Sequence, residues 1–112
     1  MGIASIGEVP LSDEAFWIWS RDHAYHHLGI LQALAQQRSA FLDSYVLDPV
    51  DREDMGPWLD QHAFMHQQMD TVLNIVSNDL TELDWNNPVQ VNAWFALHYV
   101  EHQAAAAILG IG

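Results

Sequence analysis

Three times in this chain a tryptophan is followed four residues later by a histidine, four later again by a second histidine, and seven beyond that by a leucine. The copies are Trp19, His23, His27, Leu34; Trp58, His62, His66, Leu73; and Trp94, His98, His102, Leu109. On a helix turning about 100° per residue these positions point to roughly 0°, 40°, 80° and 60°, so they share one face. Apolar residues recur on the same face at three- and four-residue intervals, which makes it the buried one. A chain built this way has to bury three helical stripes that each carry a histidine pair.

The punctuation between the stripes sets the elements. Ser12 reads as an N-cap with Asp13 and Glu14 in the first turn, where the helix dipole favours negative charge. A first helix is expected over about 12–46, through Phe16, Trp19, His23, His27, Ile30, Leu31, Leu34, Phe41, Leu42 and Tyr45. Its Gly29 weakens it by roughly 1 kcal/mol against alanine. Asp48-Pro49 breaks that helix, Asp51 to Met55 suggests a short capped turn, and Gly56-Pro57 supplies a restart. The second helix is expected over about 57–77, with Trp58, His62, Met65, His66, Met69, Val72, Leu73 and Val76 inward and Ser77-Asn78-Asp79 ending it. A connector follows whose Leu80, Leu83 and Trp85 fold back onto the bundle. Asn87-Pro88 caps the third helix, 88–109, which turns Val91, Trp94, Phe95, His98, His102, Ala105, Ala106 and Leu109 inward and stops at Gly110.

Ser12, Asp51 and Asn87 each lie seven residues before a cassette tryptophan, and the cassettes are offset by 39 and then 36 residues. A period of that length suggests one helix plus linker as the repeated unit. Residues 1–11, punctuated by Gly2, Gly7 and Pro10, read as an extended N-terminal arm that is mobile unless it docks. The expectation is a single all-α domain over residues 1–112: three long amphipathic helices in a bundle, each carrying one cassette. In an up-down-up arrangement the histidine pairs, near the middle of each helix, stay level whichever way the helices run.

Charge narrows the partners. Fifteen acidic residues oppose only Arg21, Arg38 and Arg52, there is no lysine, and the net charge is −12. Such a surface repels phosphate backbones and anionic lipid, so neither nucleic acid nor a membrane is an expected partner. With no cysteine, disulfides, thiolate zinc sites and cysteine nucleophiles are excluded. The N-terminus lacks the pattern of a signal peptide, Ile6 spoils a myristoylation motif, and no apolar run is long enough to span a bilayer. A cytoplasmic location is the expectation.

The histidines admit two readings. Imidazoles at i and i+4 on a helix can chelate one ion, and neutral imidazole is a ligand for zinc, copper, iron and nickel. His23, His27, His62, His66, His98 and His102 are the candidate ligands, enough for a mononuclear or a dinuclear Zn, Cu or Fe centre. Asp22 beside His23, Asp70 four residues after His66 and Glu101 three after His98 are the acids that could orient them. Alternatively each histidine is a polar core residue bonded to a neighbour, and duplication would make six histidines one event copied. Trp19, Trp58 and Trp94 read as core anchors, and Tyr25 and His26 as surface or interface residues. The glutamate and Glu-x-x-His pattern of four-helix di-iron proteins is missing, as are the fourth helix and bridging carboxylates of hemerythrin-like domains. No catalytic triad, phosphate loop or nucleophile elbow is present, so any enzyme activity would depend on a metal.

Over residues 58–111 the His62/His66 helix, Asp79-Leu80, Asp84-Trp85-Asn86-Asn87-Pro88, Glu101-His102-Gln103 and Leu109-Gly110-Ile111 together resemble small uncharacterised proteins encoded among tailed-phage structural genes. The resemblance implies a viral or prophage origin, a virion-associated location and an assembly role, with no catalytic residues to carry over. The combined expectation is a small acidic interaction or assembly protein, non-enzymatic and homodimeric through apolar surface left uncovered, with a protein partner. The competing expectation is a histidine-based metal-binding protein.

Overall fold

The computed structural model describes residues 3–42, 50–76 and 83–111. Three helices carry the cassettes: α1, Asp13–Arg38; α2, Met55–Leu73; and α3, Pro88–Leu109, with short 3-10 turns at Ile3–Gly7 and Arg52–Asp54. The protein is an all-α bundle, with no strand among the described residues. At 1.5 Å per residue the 26 residues of α1 span about 39 Å, which matches the 40 Å long axis of the molecule.

All three helices run in the same direction. One apolar cluster gathers Trp19, Trp58 and Trp94 with Phe16, Met55 and Val91, all from the N-terminal parts of their helices. A second gathers Leu34, Leu73 and Leu109 with Ile30, Met69 and Ala105, all from the C-terminal parts. The histidines lie between the two clusters. The bundle is therefore parallel rather than up-down-up, and the connections 39–54 and 74–87 each leave at the leucine end and rejoin at the tryptophan end. At about 3.3 Å per residue both are long enough to do so.

The parallel arrangement puts equivalent residues of the three copies at the same level. From the top the layers are Phe16/Met55/Val91, Trp19/Trp58/Trp94, His23/His62/His98, His27/His66/His102, Ile30/Met69/Ala105 and Leu34/Leu73/Leu109. The steps between layers are three, four, four, three and four residues on every helix. Three-four-four makes an eleven-residue unit of about 3.67 residues per turn, close to a straight helix. The stripe hence holds one bearing past both histidine layers and keeps all six imidazoles aimed at the axis.

The helix ends follow local chemistry. Ala15 N–H donates to Ser12 Oγ at 3.0 Å and Gln90 N–H to Asn87 Oδ1 at 3.2 Å, the two side-chain caps that the sequence suggests. Asp51 makes no such bond; it precedes the Arg52–Asp54 turn, which leads directly into α2. Pro57 is consequently the third residue of α2, still among the positions whose N–H has no helical partner. At their C-termini Asn74 and Gly110 adopt positive φ of 57° and 70°, and Ile75 and Ile111 donate back to Asp70 and Ala106. Both isoleucines then pack on the lower cluster, so the repeat includes the stop signals.

Two helices are shorter than their apolar periodicity suggests. α1 ends at Arg38, where Ser39 turns left-handed with φ 52°, instead of continuing to about 46. Beyond the Leu34 layer no neighbouring helix remains to cover it: Phe41 is 82% exposed, though Leu42 still packs on the lower cluster. Tyr45 lies outside the described residues. α2 ends at Leu73, so Val76 lies beyond it and is exposed; Val72, within the helix, is also exposed rather than inward. Leu83 and Trp85 do fold back onto the upper cluster, while Leu80 and Ser77 to Asp79 lie outside the described residues.

The arm is docked. Ile6 is buried in the upper cluster, and Trp19 Nε1–H donates to its carbonyl at 2.9 Å. Gly7 passes so close to Tyr99 that a Cβ there would stand 2.9 Å from the ring. The segment leading into α2 is tied down as well. Val50 N–H donates to Ser20 Oγ at 2.8 Å, and Arg52 bonds Asp13 Oδ1 at 3.0 Å while lying over the Trp85 ring.

Candidate metal centre

The three helices bring all six cassette histidines to one place, every one of them buried, with one potential ligand atom from each lying within 4.8 Å of all the others. In the upper layer the Nε2 atoms of His23, His62 and His98 form a triangle with sides of 2.9, 3.0 and 3.2 Å. His27 Nε2 is 2.9 Å from His23 Nε2, and His66 Nε2 is 3.4 Å from His27 Nε2. His102 Nε2 is buried without a hydrogen-bond partner, and the Nδ1 of the same ring lies against His26.

The rings follow a near-threefold pattern. Centroids in the upper layer are 4.7 to 4.9 Å apart and in the lower layer 4.7 to 5.1 Å. Within each helix the two rings are 4.2 to 4.4 Å apart. Each lower ring also meets one upper ring of a neighbouring helix: His27 with His62, His66 with His98, His102 with His23, at 5.0 to 5.2 Å. Two triangles in which every lower corner touches two upper corners are the faces of an octahedron. Its diagonals run from His23 to His66, His27 to His98 and His62 to His102.

Hydrogen bonding among neutral imidazoles does not satisfy this arrangement. A ring nitrogen has one in-plane site, either an N–H or a lone pair. His23 Nε2 faces three other ring nitrogens at 2.9 to 3.0 Å, and can serve only one of them. A ring of three such atoms is also odd, so donors and acceptors cannot alternate around it. One cation at the centre would resolve the conflict, since each inward lone pair would then have the same partner.

Electrostatics keep the candidate ligands neutral, the form a metal would need. Burial pushes His23, His27, His62, His98 and His102 well below the ordinary value of 6.5, and the charges of neighbouring histidines push the same way. Neutral imidazole with a free lone pair is the ligating form. Above the site each upper ring stacks on the tryptophan of its own cassette, which fixes its orientation: Trp19 on His23, Trp58 on His62 and Trp94 on His98, with planes within 11° to 16° of parallel.

The acids behave differently from one another. Glu101 is buried and its Oε1 stands 3.5 Å from His66 Nδ1, so it faces the neighbouring helix rather than His98 on its own. A carboxylate there favours the proton on Nδ1 and turns the Nε2 lone pair inward. Asp70 is buried one turn beyond His66 on α2. Asp22 bonds the Arg21 guanidinium at 3.3 Å. Sequence reasoning missed His26, which it placed at the surface or an interface. The residue is half-buried, and its Nδ1 lies 2.6 Å from His102 Nδ1. With the proton of His102 on Nδ1, this contact would be a donation to His26 and would leave the His102 Nε2 lone pair available to ligate. The one available signal was that His26 is the only histidine outside the cassettes.

No described helix is long and apolar enough to cross a membrane. Comparison with protein-family models, with curated proteins and with solved structures finds no match, so the chemistry of the centre rests on the chain's own residues.

Proposed function

We propose that this is a metal-binding protein whose three cassettes together hold one divalent first-row transition ion through six imidazoles. The observation that carries the reading is His23 Nε2, which has three imidazole nitrogens at hydrogen-bond distance and a single site with which to meet them. Two ions about 3.5–4 Å apart would spread their outer ligands beyond the 4.8 Å that encloses all six donor atoms, so the centre suits one ion. Six nitrogens complete an octahedron and leave no position for water or substrate. Catalytic zinc sites keep such a position open, which makes a hydrolytic role the weaker form of the reading. The role that fits is to hold the ion and, through it, to lock three parallel helices together. Elemental mass spectrometry of the untagged protein tests this: about one ion per chain is expected, with a thermal melt that drops on adding chelator. Protein without bound metal, unable to take it up and indifferent to chelator, would overturn it.

A second reading, assembly with another copy of the chain, is supported by the outer side of α3. Val89, Leu97, Val100 and Ile108 are exposed there, and the only charged residue of the helix, Glu101, is buried. In a protein of net charge −12, a charge-free apolar face is where two copies can approach with least repulsion. Light scattering at micromolar concentration tests it; a dimer lost in Val100→Glu is expected, and a monomeric wild type would contradict it.

A further inference from the structure

Building on the six-imidazole reading, we infer that the centre discriminates among metals by geometry and takes ions that favour octahedral coordination, Ni²⁺ foremost, in preference to Zn²⁺. In an octahedron the metal–ligand distance is the edge divided by √2. The five short donor–donor edges, among His23, His27, His62, His66 and His98, run from 2.9 to 3.4 Å and correspond to about 2.1 to 2.4 Å, the range of a six-coordinate first-row divalent ion, and all six donor atoms lie within 4.8 Å of one another. A tetrahedral ion with nitrogen ligands at about 2.0–2.1 Å needs edges near 3.3–3.4 Å. The upper triangle, with sides of 2.9, 3.0 and 3.2 Å, is tighter than that.

The donor atoms are also poorly placed to rearrange. The upper three rings are clamped by their tryptophan stacks. His102 is held from behind by His26, and Glu101 faces the back of His66. An ion that used only four imidazoles would leave two buried rings without a partner for their inward nitrogens, and burying such unmet polar atoms is unfavourable. Filled d¹⁰ Zn²⁺ has no electronic preference for six ligands and is almost always four-coordinate in structural sites. Octahedral Ni²⁺ gains the most from six equivalent nitrogens, and the general affinity order places it above Co²⁺, Fe²⁺ and Mn²⁺. Cu²⁺ favours a tetragonal arrangement, which the near-threefold cage opposes.

The test uses the full wild-type chain, stripped of metal and then offered equal concentrations of Ni²⁺ and Zn²⁺ in slight excess, with bound metal read by elemental analysis after buffer exchange. At least about tenfold more Ni²⁺ than Zn²⁺ is expected. A separate sample loaded with Co²⁺ should give the weak visible bands of an octahedral ion. Equal or greater Zn²⁺ occupancy, or the intense bands of tetrahedral Co²⁺, would overturn the selectivity while leaving metal binding intact. Binding of none of these ions would overturn the six-imidazole reading along with it.

Discussion

The indole of Trp19 lies flat against the imidazole of His23, ring centroids 4.7 Å apart and planes 11° from parallel, and the pair recurs as Trp58/His62 and Trp94/His98. Each tryptophan therefore does two jobs: it fills the upper core and sets the plane in which its histidine can offer a lone pair. Trp58→Ala should lose both. A core cavity of this kind costs about 3–5 kcal/mol, and the released His62 ring should weaken metal affinity as well. Urea melts with and without metal measure the two effects. A variant that binds metal as tightly as wild type would show that the stack does not orient the ligand.

His26 offers a cleaner separation of site from fold, because it is half-buried and outside the cassettes. His26→Ala removes the hydrogen-bond partner of His102 Nδ1, 2.6 Å away. Loss of such an outer partner typically weakens metal binding about 10- to 100-fold. Competition against a chromophoric chelator should show that loss, while the metal-free melt changes little. Unchanged affinity would mean that His102 needs no support from behind.

The pH dependence has a definite sign in the metal-free protein. His23, His27, His62, His98 and His102 titrate well below 6.5 when folded and near 6.5 when unfolded. The unfolded chain thus binds more protons in the window beneath 6.5, and folding stability falls as pH drops through it. Each imidazole contributes up to about 1.4 kcal/mol per pH unit there. Urea midpoints measured in chelator should be flat from about pH 8 to 7 and fall steeply from about 6.5 to 5. A flat curve to about pH 5 would contradict burial of the cluster.

Two glycines should respond in opposite directions. A Cβ on Gly29, inside α1, would meet only Ile111 Cδ1 at 3.9 Å, an ordinary contact. Gly29→Ala should therefore stabilise by about 0.5–1 kcal/mol through helix propensity. A Cβ on Gly7 would stand 2.9 Å from the Tyr99 ring, so Gly7→Ala should loosen the arm and lower the melting temperature. Equal melting temperatures for the two variants would contradict the docking of the arm.

Much of this arrangement is legible in the residue order. The face shared by tryptophan, histidines and leucine follows from helical spacing alone, as do the caps at Ser12 and Asn87. Helix direction does not, because a mid-helix pair sits at the same height whichever way its helix runs. It is the gathering of Leu34, Leu73 and Leu109 in one cluster that makes the bundle parallel. The end of α1 was hidden for a related reason: the apolar period continues to Phe41, but the neighbouring helix that would cover it has stopped. Glu101 was paired by spacing with His98 on its own helix, whereas the parallel packing turns it to His66 on the next.

We propose that six imidazoles from three parallel helices surround one ion. X-ray absorption at the metal edge, on protein carrying one equivalent of bound ion, tests it most directly. A single first shell of six nitrogens, with the outer-shell scattering of imidazole rings, is expected. A four-coordinate shell, water oxygen in the first shell, or failure of the chain to retain any ion would contradict it.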